Sequence, residues 1–309
     1  MLLHSQLPGE RQLQACALTI GTFDGVHCGH QALVATARRE ATQRNLPLAA
    51  LTFNDMPHCY FRPDDCPLLL TLPDEKARAF ERLEVEHLWL IDFDSAVVAR
   101  EAPDFIAELK QFLGLQLLIV GPDFALGKNR AGDVNALRNF GEELGFEVLV
   151  LREKIEYENA PISSTRVRRC VEAGQVEDAA RMLGQPFSFE GEVVSGRQLG
   201  RTIGVPTINL QLHPRKVVPA FGVYAVRAFF DGEALPHPAA LSIGHNESVG
   251  GAQLSVEFHV IEETIAAPPK RARVEIVSWL RGQEKFEDLN GLVAQMQLDI
   301  TRAKDVLFS

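Results

Sequence analysis

Two histidines stand three residues apart near the N-terminus, in the stretch Gly21-Thr-Phe23-Asp24-Gly25-Val-His27-Cys-Gly29-His30. At that spacing two imidazoles share a helix face. Such a pair can stabilise charge that grows on a phosphate under attack. A helix start also draws phosphate through its free N–H groups and dipole. Metal binding by the two rings is the other chemistry open to them, but no third ligand stands out nearby. The plain alternative is a helix cap with incidental histidines, and the complete strand–motif–helix setting favours catalysis over it.

A second chemical stretch runs from Gly191 to Leu210 and holds Gly191, Gly196, Gly200, Arg201, Gly204, Pro206, Thr207 and Asn209. It is neither a dinucleotide fingerprint nor a GxxxxGK[ST] phosphate loop. Glycines let backbone approach phosphates closely, and arginines add charge. In a strand Thr207 and Asn209 point the same way, and two neutral oxygens on one face can hold a Mg²⁺ that also touches phosphates. An ordinary glycine-turned hairpin is the competing reading. Further on, Ser255-Val-Glu257-Phe-His259 puts Glu257 and His259 on one strand face; a carboxylate there could serve as general base for attack on a γ-phosphate. That spacing alone does not outweigh two polar residues on a wet strand. Ile162-Ser163-Ser164-Thr165-Arg166-Val-Arg168 offers hydroxyls, N–H groups and arginines at a helix start, an anion site or a simple cap with a basic face. Gly121-Pro-Asp123-Phe-Ala-Leu-Gly-Lys128 is one residue too long for a phosphate loop and is weak by itself.

The elements that must position these groups follow from pattern. Residues 15–20, 48–53, 87–91, 115–120 and 146–151 read as strands; 27–43, 73–83, 103–113 and 134–144 read as helices between them. Such alternation means a parallel sheet covered by helices, with ligands at the strand ends. Residues 54–72 form a long connection, a length that is often functional. After helices at 164–172 and 176–183 the rhythm changes to short β runs at 189–194, 223–230, 239–243, 254–261 and 274–280, an antiparallel barrel or sandwich. An amphipathic helix over 288–306 closes the chain. The predicted domains are 1–186 and 187–309.

Bulk composition bounds the function. The chain has 309 residues, 46% hydrophobic and 23% charged, as in soluble two-domain proteins. A net charge of −10 argues against nucleic acid as a partner. The start lacks a signal-peptide pattern, and no apolar run approaches the ~20 residues of a membrane span. The five cysteines form no CxxC pair and are odd in number, which predicts reduced thiols in a cytoplasm.

The motifs together resemble one family. Gly-x-Phe-Asp-Gly-Val-His-x-Gly-His is similar to the FMN adenylyltransferase module of bacterial FAD synthetases. Gly-x-x-Gly-Arg-x-x-Gly-x-Pro-Thr-x-Asn resembles the nucleotide loop of riboflavin kinases. The resemblance runs from about residue 15 to 306 and implies an N-terminal Rossmann-like nucleotidylyltransferase domain with a parallel sheet, then an antiparallel β-barrel kinase domain with a C-terminal helix. It implies phosphorylation of riboflavin by ATP to FMN, then adenylylation of FMN to FAD with loss of pyrophosphate, both with Mg²⁺. By the same resemblance His27 and His30 assist AMP transfer. Gly21, Phe23, Asp24, Gly25, Asp123, Ser163, Ser164, Thr165, Arg166 and Arg168 line that nucleotide site. Glu257 is the kinase base, Gly191, Gly196, Gly200, Arg201 and Gly204 hold the kinase nucleotide, Thr207 and Asn209 hold the metal, and Arg281 borders the flavin.

Two segments depart from the family. After the second strand the usual Thr-Phe-x-Pro-His-Pro becomes Thr52-Phe53-Asn-Asp-Met-Pro57-His58-Cys59, and His58 receives no role. In the barrel, Asn246-Glu-Ser-Val-Gly250 replaces Asn-Pro-Thr-Phe-Gly, and the stretch up to Lys270 is altered. The alternative this leaves is an adenylyltransferase alone, its barrel a degenerate flavin-binding or regulatory module. A non-catalytic flavin sensor is the rival from another class, and the intact His27, His30, Thr207, Asn209 and Glu257 speak against it. The pattern sets no oligomeric state.

Overall fold

A computed structural model describes residues 1–309 apart from 152, 154, 196–204, 232, 234, 249–250, 264, 266–268 and 287; of 246–248 and 251–253 it describes the backbone alone. The chain packs as two compact units, Met1–Ser164 and Thr165–Ser309. No helix among the described residues is long and apolar enough to cross a membrane.

The first unit is a parallel sheet of β1 (Leu2–His4), β2 (Cys16–Ile20), β3 (Leu48–Phe53), β4 (His87–Ile91), β5 (Leu115–Val120) and β8 (Glu147–Val150), in the order β1-β4-β3-β2-β5-β8. Every pairing is parallel. β2 and β3 are buried along their whole length, as expected of strands covered on both faces. The covering helices include α1 (Cys28–Gln43), α3 (Pro73–Arg82), α5 (Ala102–Leu113) and α6 (Val134–Leu144). Two apolar layers result, one around Val34, Phe80 and Leu88, the other around Ile106, Leu109 and Leu118. The long connection after β3 holds a short helix, α2 (Pro57–Phe61), and a helix of four residues, α4 (Ser95–Val98), follows β4. The 121–132 loop carries the paired two-residue strands β6 (Ala125–Leu126) and β7 (Gly132–Asp133), and a similar pair, β9 (Glu156–Tyr157) and β10 (Ala160–Pro161), lies near the unit's end.

The order reverses at β2, whose neighbours are β3 on one side and β5 on the other. The crevice beyond the carboxyl ends of β2 and β5 is the place where such sheets bind ligands.

The second unit begins with α7 (Ser164–Glu172, its first residue in the first unit) and α8 (Val176–Leu183). A closed antiparallel barrel follows: β11 (Phe187–Val194), β12 (Ile208–Leu212), β13 (Gly222–Phe230), β14 (His237–Ser248), β15 (Gly251–Val260) and β16 (Arg271–Gly282), in the order β11-β12-β15-β14-β13-β16. The barrel, not the sandwich, is therefore the architecture, and closure removes open strand edges. α9 (Leu289–Phe308) lies across β13, β14 and β16.

Two expectations change. β1 has no counterpart in the pattern analysis, because three residues at a sheet edge are held by pairing with β4 and not by any local signal. The five cysteines are not all thiols: Cys59 and Cys66 form a disulfide, while Cys16, Cys28 and Cys170 carry none. Spacing could not show this, since the α2 turn brings the two Cα atoms to 4.6 Å, well inside bridging range.

Candidate active sites

The motif after β2 folds as a tight turn into α1. Phe23 and Val26 take left-handed backbone angles, and Gly25 lies at φ 81°. Such strain persists where the surroundings over-determine it and is common at functional sites. Here the Thr22 carbonyl accepts from Thr52 Oγ1 at 2.9 Å and from Lys76 Nζ at 2.9 Å. Lys76 is 1% exposed and also donates to the Phe53 carbonyl at 2.6 Å. Burial lowers its pKa to about 8, against the opposing pull of Asp24 and Asp55. The Asp24 carboxylate faces inward: Oδ1 accepts from the N–H groups of Leu70 at 2.9 Å and Thr71 at 3.1 Å.

His27 is the N-cap of α1, with its Nδ1 accepting from the His30 N–H at 3.3 Å. Its proton therefore sits on Nε2. The two rings stack with centroids 3.7 Å apart, and the His30 ring meets the Phe23 edge at 5.1 Å. Gly29 permits this, since a Cβ there would come within 3.2 Å of the His27 ring. Burial pushes the His27 pKa down to about 4. Burial, with His27 and Lys76 close by, drives His30 well below its usual value. Both rings are neutral at pH 7. His30 Nδ1 is shut from solvent with no hydrogen-bond partner, and the residue borders a cavity of about 400 Å³. Gly21, Phe23, Asp123 and Ser163 border the same cavity, so the loops after β2 and β5 meet over the crevice.

Other expected residues take different positions. Ser164 Oγ donates to the Asp24 carbonyl at 2.8 Å and pins the turn. Thr165, Arg166 and Arg168 belong to the second unit, where Arg168 is buried. Lys128 reaches Glu101 at 3.0 Å on the surface.

In the barrel, Val256, Phe258 and Val260 fill the core, and Ser255, Glu257 and His259 face the other way. Glu257 Oε1 accepts from Ser255 Oγ at 2.8 Å, and Oε2 accepts from Thr207 Oγ1 at 3.2 Å. Asn209 lies opposite Glu257 in the β12–β15 register. Thr207, Ser255 and Glu257 open on a cavity of about 350 Å³, closed on another side by Leu292, Met296 and Ile300 of α9. His259 Nδ1 pairs with the Pro206 carbonyl at 2.8 Å and so holds the chain just before Thr207. Gly191 sits in mid-strand, where a Cβ would come within 2.7 Å of the Gln211 carbonyl. Gly196, Gly200, Arg201 and Gly204 lie outside the described residues.

Arg281 borders this cavity with most of its donors engaged. Its Nε and Nη2 fork onto Asp299 of α9 at 2.9 and 2.7 Å, and Gln295 adds a bond to the same carboxylate at 2.9 Å. That pairing holds the guanidinium above its usual pKa. Pattern analysis missed Asp299, although a signal exists. It lies seven residues after Leu292 and four before Ala303, on the apolar face of α9, where an acid must find a partner. Ser255 and Lys76 were also missed, with no comparable signal.

Each unit thus carries its own polar site beside a cavity, one built on stacked neutral imidazoles at a helix start, the other on a carboxylate held by two hydroxyls. The class this defines is a two-site enzyme of phosphate-group transfer. Residues 9–166 match the FAD synthetase family model and residues 183–307 the riboflavin kinase family model. The bifunctional riboflavin kinase/FMN adenylyltransferase of Escherichia coli K12 is 36% identical over 97% of this chain and 94% of its own. The protein of that name from Pseudomonas fluorescens is 34% identical over 98% and 95%. A solved structure from Streptococcus pneumoniae, named a macrolide-efflux protein, superposes with a TM-score of 0.89 at 29% identity, over 98% of this chain and 99% of that one. The chain belongs to the bifunctional riboflavin kinase/FMN adenylyltransferase family, and it carries both enzymatic parts. ATP is the substrate of each reaction, with FMN and then FAD as products.

Proposed function

We propose that FMN adenylylation takes place at the His27–His30 crevice and riboflavin phosphorylation at Glu257. In the first reaction an FMN phosphate oxygen attacks the α-phosphorus of ATP, and the bond to pyrophosphate breaks. His27, with its proton on Nε2, and His30 donate hydrogen bonds to the oxygens on which charge grows. Neutral imidazoles suit this role, because they donate without burying a permanent charge in an empty site. The N-terminus of α1 adds its free N–H groups. Gly21, Phe23, Asp123 and Ser163 line the nucleotide path; Asp24, Gly25 and Ser164 hold the turn in shape; Thr165, Arg166 and Arg168 are carried over as phosphate-binding residues by the family resemblance alone. The stacked rings and the unpartnered His30 Nδ1 are the observation that carries this half.

In the second reaction the ribityl hydroxyl attacks the γ-phosphorus, and Glu257 accepts its proton. Ser255 and Thr207 keep the carboxylate aimed. The hydroxyl of Thr207 and the amide oxygen expected of Asn209 are hard-oxygen donors that fit Mg²⁺. Bound there with the nucleotide, the ion would neutralise phosphate charge. Gly196, Gly200, Arg201 and Gly204 form the nucleotide loop of this half, Gly191 belongs to the strand that leads into it, and Arg281 positions the flavin edge. The division of labour is residues 1–186 for adenylylation and 187–309 for phosphorylation, in a cytoplasmic setting that the use of ATP by both reactions supports.

The test runs both reactions side by side on single variants. His30→Ala should cut FAD formation about a hundredfold or more, the usual cost of losing a donor to transition-state charge, and leave FMN formation intact. Glu257→Gln should lower FMN formation by about 10²–10⁴-fold and leave FAD formation from supplied FMN intact. Equal loss of both reactions in either variant would sink the assignment.

A further inference from the structure

The segment that departs from the family pattern after β3 holds chemistry that neither reaction uses. Cys59, in α2, and Cys66 are joined as a disulfide. Both are half-buried, so solvent-borne reagents reach them. His58 Nε2 meets the Asp65 carbonyl at 2.9 Å and bridges the same loop a second time. The other cysteines are placed differently. Cys16 is fully buried, and burial pushes its thiol up to about 12. Cys28 and Cys170 are outside any disulfide.

The bridged loop lies at the carboxyl edge of the sheet, in the connection that follows β3, the neighbour of motif-bearing β2. Two short routes lead from it to the adenylylation turn. Asp55, whose carboxylate lies within 4.8 Å of both sulfurs, also acts on the Lys76 ammonium, which holds the Thr22 carbonyl. Four residues beyond Cys66, Leu70 and then Thr71 donate their N–H groups to Asp24, and the Thr71 hydroxyl accepts from the Gly25 N–H at 3.0 Å. A crosslink between residues 59 and 66 restricts the conformations open to the connection that supplies these anchors.

We propose that Cys59 and Cys66 form a reversible modification site, oxidised by small-molecule disulfides and reduced by thiols, that sets how firmly the 54–72 connection holds the adenylylation turn. In the oxidising direction one thiolate attacks a sulfur of the small disulfide, whose S–S bond breaks and releases one thiol. The second cysteine thiolate then attacks the protein sulfur of the mixed disulfide and expels the second thiol. Two electrons pass from the protein to the small disulfide, and the two cysteine protons end on the released thiols. Asp55 with the two sulfurs could also be taken for a metal site, but the bond between the sulfurs occupies both as ligands.

The proposal rests on the adenylylation site assigned above, and the test separates the two. Full-length protein is equilibrated in glutathione and glutathione disulfide at graded ratios, quenched, alkylated and read by peptide mass spectrometry. FMN-to-FAD and riboflavin-to-FMN turnover are then measured on the oxidised and reduced protein. The 59–66 pair should titrate as one two-electron couple. Oxidised and reduced forms should differ severalfold in kcat/KM for FAD formation, with FMN formation unchanged. Cys59→Ser and Cys66→Ser should each abolish that difference, and the wild-type comparison stands without them should either variant fold poorly. Two alkylated thiols at every ratio, equal FAD formation by the two forms, or Zn²⁺ retained stoichiometrically by the reduced pair against glutathione disulfide would each overturn the proposal. Loss of FAD formation in His30→Ala concerns the site alone and is independent of these outcomes.

Discussion

Burying His27 without its charge ties the stability of the first unit to pH. Its pKa falls from 6.5 in the unfolded chain to about 4 in the fold, with burial as the cause. Between those values the unfolded chain binds a proton that the folded chain refuses, so acid favours unfolding. The stability this group contributes is fully present above pH 6.5 and is lost as pH falls through about 4. The gap limits the loss to about 3 kcal/mol, of which about 2 kcal/mol is gone by pH 5. His27→Asn removes the titration and keeps an N-cap, since the Asn oxygen can accept from the His30 N–H. The chain has two tryptophans, and Trp89 is 1% exposed in the first unit. A Trp279→Phe background leaves Trp89 as the reporter of that unit, which matters because a two-domain chain does not unfold in one step. Urea unfolding at pH 8 and pH 5 then gives the two free energies. His4, His30 and His87 are also shifted downward and contribute to acid loss in both proteins, so the difference between the proteins reports His27 together with the part of the His30 shift that His27 causes. The pH 8-to-5 loss should be about 2 kcal/mol smaller in His27→Asn. Parallel pH profiles would refute the argument.

In the barrel, Asp299→Leu should destabilise by about 3–5 kcal/mol, because it leaves the largely enclosed Arg281 guanidinium without its carboxylate. Adding Arg281→Met should recover much of that loss, as read by unfolding of the second unit through Trp279. Asn209→Ala should move FMN formation to higher Mg²⁺ concentration while FAD formation from FMN keeps its Mg²⁺ response; titration of both activities checks it. Gly29→Ala should press on the His27 ring and slow FAD formation roughly tenfold, less than the ~hundredfold that a misplacement of 1 Å can cost, with steady-state FMN turnover as the measurement.

Much of this architecture is legible in the sequence because it is written locally. Buried parallel strands such as Leu48–Phe53 are continuous apolar runs, and α6 starts at Asp133 and ends at Gly145, an N-cap and a left-handed C-cap that pattern analysis uses directly. The histidine pair was also foreshadowed, since a spacing of three puts both rings on one helix face, whereas the Glu257–Thr207 bond, made between segments 50 positions apart, was not. Less legible was anything decided by distant partners. Asp24 reads as a ligand group, yet its carboxylate is spent on the N–H groups of Leu70 and Thr71. Gly191 reads as a phosphate-loop glycine, yet it sits where β11 and β12 press together. Arg281 reads as a residue at the flavin border, and the carboxylate that takes up its fork comes from a helix that begins later in the chain. In each case the residue type was visible and its neighbour was not.

The anchoring of Asp24 also bears on how the chain acquires its function during synthesis. The bonds that shape the turn come from residues 46 and 47 positions ahead, and the bond from Ser164 to the Asp24 carbonyl spans 140 positions. Contacts of such sequence separation form only after the loop-closure entropy of the intervening chain has been overcome. A nascent chain that has exposed α1 therefore has both histidines but not their arrangement. The turn gains the Thr52 anchor first, those of the 70–71 segment next, and that of residue 164 later still. The turn therefore reaches its final shape only late in synthesis, once the last residue of the first unit has emerged.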